Sequence, residues 1–214
     1  MSPIEILYTD AQIAVAVKPA GVLSQADEKG RDSMLSLLAN QLGGEIFPVH
    51  RLDRETAGVM VFARNAKAAA ALSTALQEKQ FTKEYLAVLT AKPEKEADVL
   101  EDLLFFDRAR GKVFPVKRAR RGVKDARLRY ELCETKESLS LVRVFPETGR
   151  THQIRVQFAS RKMPLYGDRK YGGAGDGLAL FCRSLSFLHP TKKELLSFSA
   201  SPEKLYPWNL FEGL

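Results

Sequence analysis

The sequence is short of cysteine, of histidine and of long apolar runs, and each shortage closes a class of answer. Only Cys133 and Cys182 occur, far apart and outside any C-x-x-C pattern. That argues against a disulfide framework or a thiolate zinc site and fits a reducing cytoplasm. The three histidines, His50, His152 and His189, form no H-x-x-x-H pair and have no cysteine or carboxylate at ligand spacing. No metal is therefore expected. No stretch approaches the roughly 18 consecutive apolar residues that a membrane-spanning helix needs. The start, Met1-Ser2-Pro3-Ile4-Glu5-Ile6-Leu7, has neither the basic nor the apolar region of a secretory signal. Phosphate loops of the G-x-x-x-x-G-K-[ST] type and G-x-S-x-G elbows are missing. Gly172 to Gly177 is glycine-rich but lacks the G-x-G-x-x-G order, and it reads as a flexible turn.

What is present begins with charge. The chain has 214 residues, 45% of them hydrophobic and 28% charged, and a formal net charge of +7. A single domain over residues 1–214 with a full core is expected. Ten basic residues lie between Arg108 and Arg129 against the one acid Asp125, so the remainder of the chain is close to neutral. A concentrated basic segment attracts a polyanion by releasing its counterions. The alternative is a solvated surface loop.

Periodicity places the elements. Ile4–Tyr8 and Ile13–Val17 read as an opening β-hairpin, and Asp32 or Ser33 could cap a helix through about Leu42. Val59–Phe62 is a strand, and Asn65 is a good N-cap for an Ala-rich helix from Ala66 to about Gln80. Tyr85–Leu89 is another strand. The basic segment, punctuated by Gly111, Pro115 and Gly122, reads as loop or irregular hairpin. Strict alternation from Ala126 to Leu132, answered by Leu139–Phe145, predicts an antiparallel pair turning at Thr135–Ser138. Thr151 opens a helix to about Arg161. Ser184–Leu188 and Glu194–Ala200 form a last hairpin. Many strands, mostly antiparallel, with two or three helices make this an α+β fold, a mixed and largely antiparallel sheet with flanking helices.

With the common motifs eliminated, carboxylates, arginines and aromatics remain. Asp53 lies between Arg51 and Arg54 in Val49-His50-Arg51-Leu52-Asp53-Arg54-Glu55-Thr56-Ala57-Gly58. Positive charge beside an aspartate favours its charged form, and an oriented carboxylate can act as a nucleophile. A structural salt-bridge turn capped by Thr56 fits the same spacing equally well. The second segment is Glu147-Thr148-Gly149-Arg150-Thr151-His152-Gln153-Ile154-Arg155, where Arg155 sits one turn into the predicted helix and could reach a carboxylate.

Together these segments resemble the signature of the RluA-type pseudouridine synthases. The resemblance extends to Lys18-Pro19-Ala20-Gly21, Lys83-Glu84-Tyr85, Pro164-Leu165-Tyr166-Gly167-Asp168-Arg169-Lys170-Tyr171 and Leu185-Ser186-Phe187-Leu188-His189-Pro190, in the family's order, from about residue 4 to 200. It implies the pseudouridine synthase catalytic fold and isomerisation of uridine in ribosomal or transfer RNA, with no cofactor or metal. It also implies that Asp53 is the essential carboxylate, that Tyr85 stacks on the target base, and that Arg155 pairs with the aspartate. Arg51 would enter the helix stack where the nucleotide is flipped out. Arg54, Lys117, Arg118, Arg120, Arg121 and Arg150 are candidate RNA contacts.

Ala57 replaces the family's usual serine. Gln157 stands where histidine is common, and Phe181-Cys182 where Leu-His-Ala is usual. The short form, without the family's accessory N-terminal domain, would draw its RNA affinity from the catalytic domain. A monomeric, cytoplasmic enzyme is expected. The rivals are an RNA-binding protein of the same fold that has lost catalysis, and a hydrolase that cleaves the N-glycosidic bond.

Overall fold

β-branched and aliphatic runs alternate along the chain with short Ala- or Leu-rich segments that begin at a serine or asparagine, and these fold as strands and capped helices. In a computed structural model of the chain, residues 3–27 and 30–212 are described. The strands are β1 (Ile6–Thr9), β2 (Ile13–Lys18), β3 (Phe47–Pro48), β4 (Ala57–Ala63), β5 (Thr82–Leu89) and β6 (Ala97–Asp107). They continue as β7 (Lys112–Val116), β8 (Val123–Lys136), β9 (Leu139–Pro146), β10 (Leu180–Leu188) and β11 (Leu195–Ser199). The helices are α1 (Met34–Leu42), α2 (Ala66–Gln77) and α3 (Gln153–Ala159). This is the expected α+β class.

The chain divides into two compact units, Met1–Lys83 with Phe181–Pro202, and Glu84–Leu180 with Glu203–Leu214. In the first, the strand order is β1-β2-β4-β10, with β3 added to β4 and β11 to β10. All these pairs are antiparallel except β4 with β10, which run parallel at Ala57–Phe181 and Gly58–Cys182. β2 and β4 are buried on both faces, which explains runs such as Val59-Met60-Val61-Phe62 in place of alternation. One face packs Ile13, Val15, Val59, Val61, Leu185 and Phe187 under Ala68 and Leu72 of α2. Both helices of this unit start at the predicted caps. Ser33 and Ser36 form a reciprocal capping box on α1, and the Asn65 side chain accepts from the Ala68 amide on α2. α2 stops at Gln77, three residues before the expectation, because Lys79 turns left-handed at φ 60°.

The second unit is a meander in the order β5-β9-β8-β6-β7, antiparallel throughout. β8 and β9 pair as predicted, turning at Glu137 with φ 54°. Of the two forms open to the basic segment, the hairpin is the one found: β7 pairs antiparallel with β6 and buries Val113, and residues 117–122 form a loop before β8; Pro115 is tolerated because β7 is the edge. The third helix begins at Gln153, not Thr151, because His152 ahead of it is left-handed at φ 50°. Leu104, Val113 and Ala126 on the inner face meet Val156 of α3.

Gly58 fixes the parallel pair. It sits at φ 121°, and a Cβ there would overlap the backbone of Cys182. Gly58→Ala should therefore destabilise the fold by at least about 2 kcal/mol, read from urea unfolding. A variant as stable as the parent would show that β4 and β10 can separate at no cost.

Candidate active site

The Asp53 turn joins β3 to β4, and its side chains alternate in their fates. Val49, His50 and Leu52 are buried, Arg51, Arg54 and Glu55 are exposed, and Asp53 is half-buried. On one side the Leu52 amide donates to Ser24 Oγ at 3.1 Å, and the Ser24 hydroxyl donates back to the Leu52 carbonyl at 2.9 Å. On the other side the Gly21 amide and Lys18 Nζ both donate to the Arg54 carbonyl at 2.9 Å. The Thr56 amide closes the turn on the Asp53 carbonyl at 3.1 Å. His50 Nε2 accepts from the Val61 amide at 3.2 Å, which binds the start of the turn to β4. Burial, then the charge of Lys83, holds this imidazole well below its ordinary pKa, so it stays neutral.

Lys18 is the residue that sequence reasoning passed over. Its side chain is 0% exposed at the end of β2, and Nζ also donates to the Pro19 carbonyl at 2.8 Å. Burial drives its pKa from 10.5 down to about 8, while the carboxylates of Glu55 and Asp53 pull it back up and Arg54 pushes it down. The expected arginine pair around Asp53 is thus only part of the electrostatics. Arg54 turns its Nε to the Gly21 carbonyl at 2.9 Å and lies 3.7 Å from Glu55. Arg51 remains exposed at the rim of the turn.

The other candidates lie in the second unit. Tyr85 is buried on β5 opposite Val144 of β9. Arg155 of α3 is buried and forms a two-pronged ion pair with Asp168, Nε to Oδ2 and a terminal nitrogen to Oδ1, both at 2.8 Å. Tyr171 lies with its ring 5.3 Å from the guanidinium. Its hydroxyl accepts from the Val113 amide and is paired with His152 Nδ1, each at 2.9 Å. The glycine-rich segment is packed where flexibility was expected. A Cβ on Gly173 would overlap the Leu165 carbonyl, and the Gly173 amide donates to the Asp168 carbonyl at 2.9 Å.

Upstream of α3, Gln153 ties the entry turn to β8. Its Oε1 accepts from the Arg150 amide at 3.0 Å and the Thr148 hydroxyl at 2.8 Å, and its Nε2 donates to the Arg127 carbonyl at 3.0 Å. Arg150 reaches the Asp125 carbonyl at 2.8 Å. Gln157 donates to the Leu100 carbonyl at 3.0 Å and Asp102 at 2.9 Å, so this departure from the family pattern ties α3 to β6. Lys117, Arg118, Arg120 and Arg121 are exposed between β7 and β8. Among the described residues no group of three histidine, cysteine or acidic side chains is placed to hold a metal ion, and no helix is long and apolar enough to cross a membrane.

A family model described as RNA pseudouridylate synthase matches residues 12–160, which include the Asp53 turn, Tyr85 and Arg155. The chain belongs to this family. Family members are isomerases acting on RNA. It is 35% identical over 229 residues to ribosomal large subunit pseudouridine synthase D of Xanthomonas campestris, covering 95% of this chain and 67% of that one. It is 30% identical over 228 residues to tRNA pseudouridine synthase C of Haemophilus ducreyi, covering 92% and 90%. The solved structure of human RNA pseudouridylate synthase domain containing 4 superposes with a TM-score of 0.77 at 25% identity, over 93% of this chain and 89% of that one.

Lys18 makes a prediction in pH. Its folded pKa, about 8, lies below the unfolded value near 10.5. Between those pH values the unfolded chain binds more protons, so this residue makes stability rise with pH, by no more than about 3 kcal/mol. Lys18→Met should flatten that rise in denaturant titrations at pH 8 to 10.5, relative to the parent. Identical slopes would mean that the ammonium is solvated in the folded protein.

Proposed function

We propose that the chain converts uridines of ribosomal or transfer RNA to pseudouridine with Asp53 as the essential carboxylate. The observation that carries the reading is how the Asp53 turn is built. Two backbone clamps, from Ser24 and from Lys18 with Gly21, fix the residues on either side of Asp53. A carboxylate held in that way loses little on ordering when it meets a substrate.

In the reaction the glycosidic bond from N1 to C1′ is broken, the base turns, and C5 bonds to C1′. The proton lost from C5 is matched by one gained at N1, so no atom or electron is exchanged with a cofactor. The target nucleotide must leave the helix stack first, because the glycosidic bond is inaccessible within it. Arg51, planar, cationic and exposed, suits the gap that it leaves. Tyr85 serves at the face of the base. Arg155 serves as the cation of the aspartate, and its clamp to Asp168 holds the guanidinium in one orientation. Arg54 and Arg150, with the exposed cations of residues 117–121, meet phosphates. The protein works as a monomer in the cytoplasm; a reducing compartment suits Cys133 and Cys182, which form no disulfide. The printed names of the relatives, one a tRNA enzyme and one a ribosomal enzyme, support both RNA classes as targets.

Asp53→Asn keeps the side chain's shape and removes its charge. It should abolish pseudouridine formation while leaving the unfolding midpoint and most RNA binding in place; appreciable turnover would end the assignment. Changing Arg118, Arg120 and Arg121 together to Ala should weaken RNA binding and lower the slope of log K against log salt by about 2 to 3. An unchanged slope would return these residues to a solvated loop.

A further inference from the structure

The basic end of the second unit carries an apolar patch on its open face. Along β6 the inner positions Leu100 and Leu104 are buried, and the alternate positions Leu103 and Phe105 point to the other face. Register sets Leu103 opposite Val116 and Phe105 opposite Phe114 on β7, with Val123 of β8 opposite Phe105 on its other side. All five side chains are half-buried, so a cluster of two rings and three aliphatic groups lies on a solvent-facing sheet at its edge strand. Cations sit over the rings. The Arg120 guanidinium is 4.8 Å from the Phe105 centroid, and Arg110 and Lys112 are 5.9 and 5.8 Å from that of Phe114. Residues 107–125 hold eight basic side chains against two acids. Among the described residues only Arg110 of these eight lies within 4.0 Å of a carboxylate, Asp107 at 3.6 Å.

We infer that this face is a stacking platform for unpaired bases of a single-stranded RNA segment. It rests on the reading above that residues 117–121 contact RNA, and it names which form of RNA they hold. The surplus of cations selects a polyanion, and the registered rings add a second requirement. A ring gains from an RNA only where a base exposes its flat face, which a single strand does and a duplex does not. Arginine over a ring extends the same surface, since its guanidinium stacks on bases as well. The platform belongs to strands held by ladder hydrogen bonds, so little order is lost when a strand lies down on it. In this picture unpaired nucleotides beside the target site rest on Phe105 and Phe114 while phosphates meet the cations around them.

The test uses the full chain and two labelled probes, an adenosine oligomer of about twelve nucleotides and a blunt RNA duplex of equal length. The double variant Phe105→Leu with Phe114→Leu keeps the patch apolar and every cation but removes the rings. It should weaken single-strand binding on the order of 5- to 100-fold, leave duplex binding within about twofold, and keep the salt slope, which counts phosphates neutralised. Unchanged single-strand affinity, or equal loss on both probes, would overturn the inference. The second outcome would point to disturbed cations, and the first to an acidic protein partner for the patch. Phe114→Trp on the edge strand guards against a leucine pair that fails to fold. Its indole emission, taken as the difference from the parent with Trp208 alone, should be quenched by the single strand and not by the duplex, and absence of quenching also counts against the platform. Binding is read here without turnover. A failure on these probes leaves Asp53 in place, and an active Asp53→Asn variant leaves the platform in place.

Discussion

Lys18 ends a strand that is buried on both faces, and its ammonium is sealed from bulk solvent. Burying a lone ammonium costs several kcal/mol unless its donors and charge are matched. Here the carbonyls of Pro19 and Arg54 take two donors, and the carboxylates of Glu55 and Asp53 supply opposite charge. The match exists only while the turn from His50 to Thr56 holds its shape. The cost of desolvating one lysine thus becomes a penalty on every other conformation of the turn that carries Asp53. Ser24 applies the same logic on the far side with neutral groups, donating to and accepting from Leu52 at once.

The second unit repeats the principle with a different pair. Arg155 and Asp168 are both almost fully buried, and two parallel hydrogen bonds join them. Removing Arg155 would leave the Asp168 carboxylate buried and uncompensated, at about 3 to 5 kcal/mol. Asp168 is held in turn by backbone bonds from a segment so close that Gly173 cannot carry a side chain. Each unit thus uses a matched buried charge to hold one segment in a single conformation, around Asp53 in the first and at Arg155 in the second. Preorganised charge of this kind is worth more than charge that must be gathered when substrate arrives.

The two helix caps, Ser33 and Asn65, were legible because a short polar side chain before an apolar run has one economical use. The β8–β9 pair was legible because strict alternation has one reading. β6 was not, since Asp98-Val99-Leu100-Glu101-Asp102-Leu103-Leu104-Phe105-Phe106 mixes periods, and only the pairing with β8 shows which positions face inward. The late start of α3 was not legible either, because His152 takes a left-handed conformation that only tertiary partners such as Tyr171 explain. At the candidate site, Asp53, Tyr85 and Arg155 were singled out through ordered motifs, while local spacing around Asp53 left two readings open. Lys18 and Asp168 lay inside those same motifs without a role. A lysine closing an apolar strand was the available signal for Lys18. Asp168 gave none, since its partner Arg155 is 13 residues away and the bond between them is made only by the fold.

An RNA isomerase of this kind faces two separate tasks, holding a polyanion and acting on one base. On the proposed reading the exposed cations of residues 117–121 suit the first task, as a salt-dependent surface, and the clamped turn around the half-buried Asp53 suits the second. The central claim is that the bond broken at C1′ is remade to the same base. The most direct measurement incubates purified protein with RNA from cells lacking it, then maps pseudouridine by position and assays the supernatant for free uracil. Pseudouridine at one or a few defined positions with no uracil released is the result predicted. Uracil in solution, or no new pseudouridine in any RNA, would contradict it.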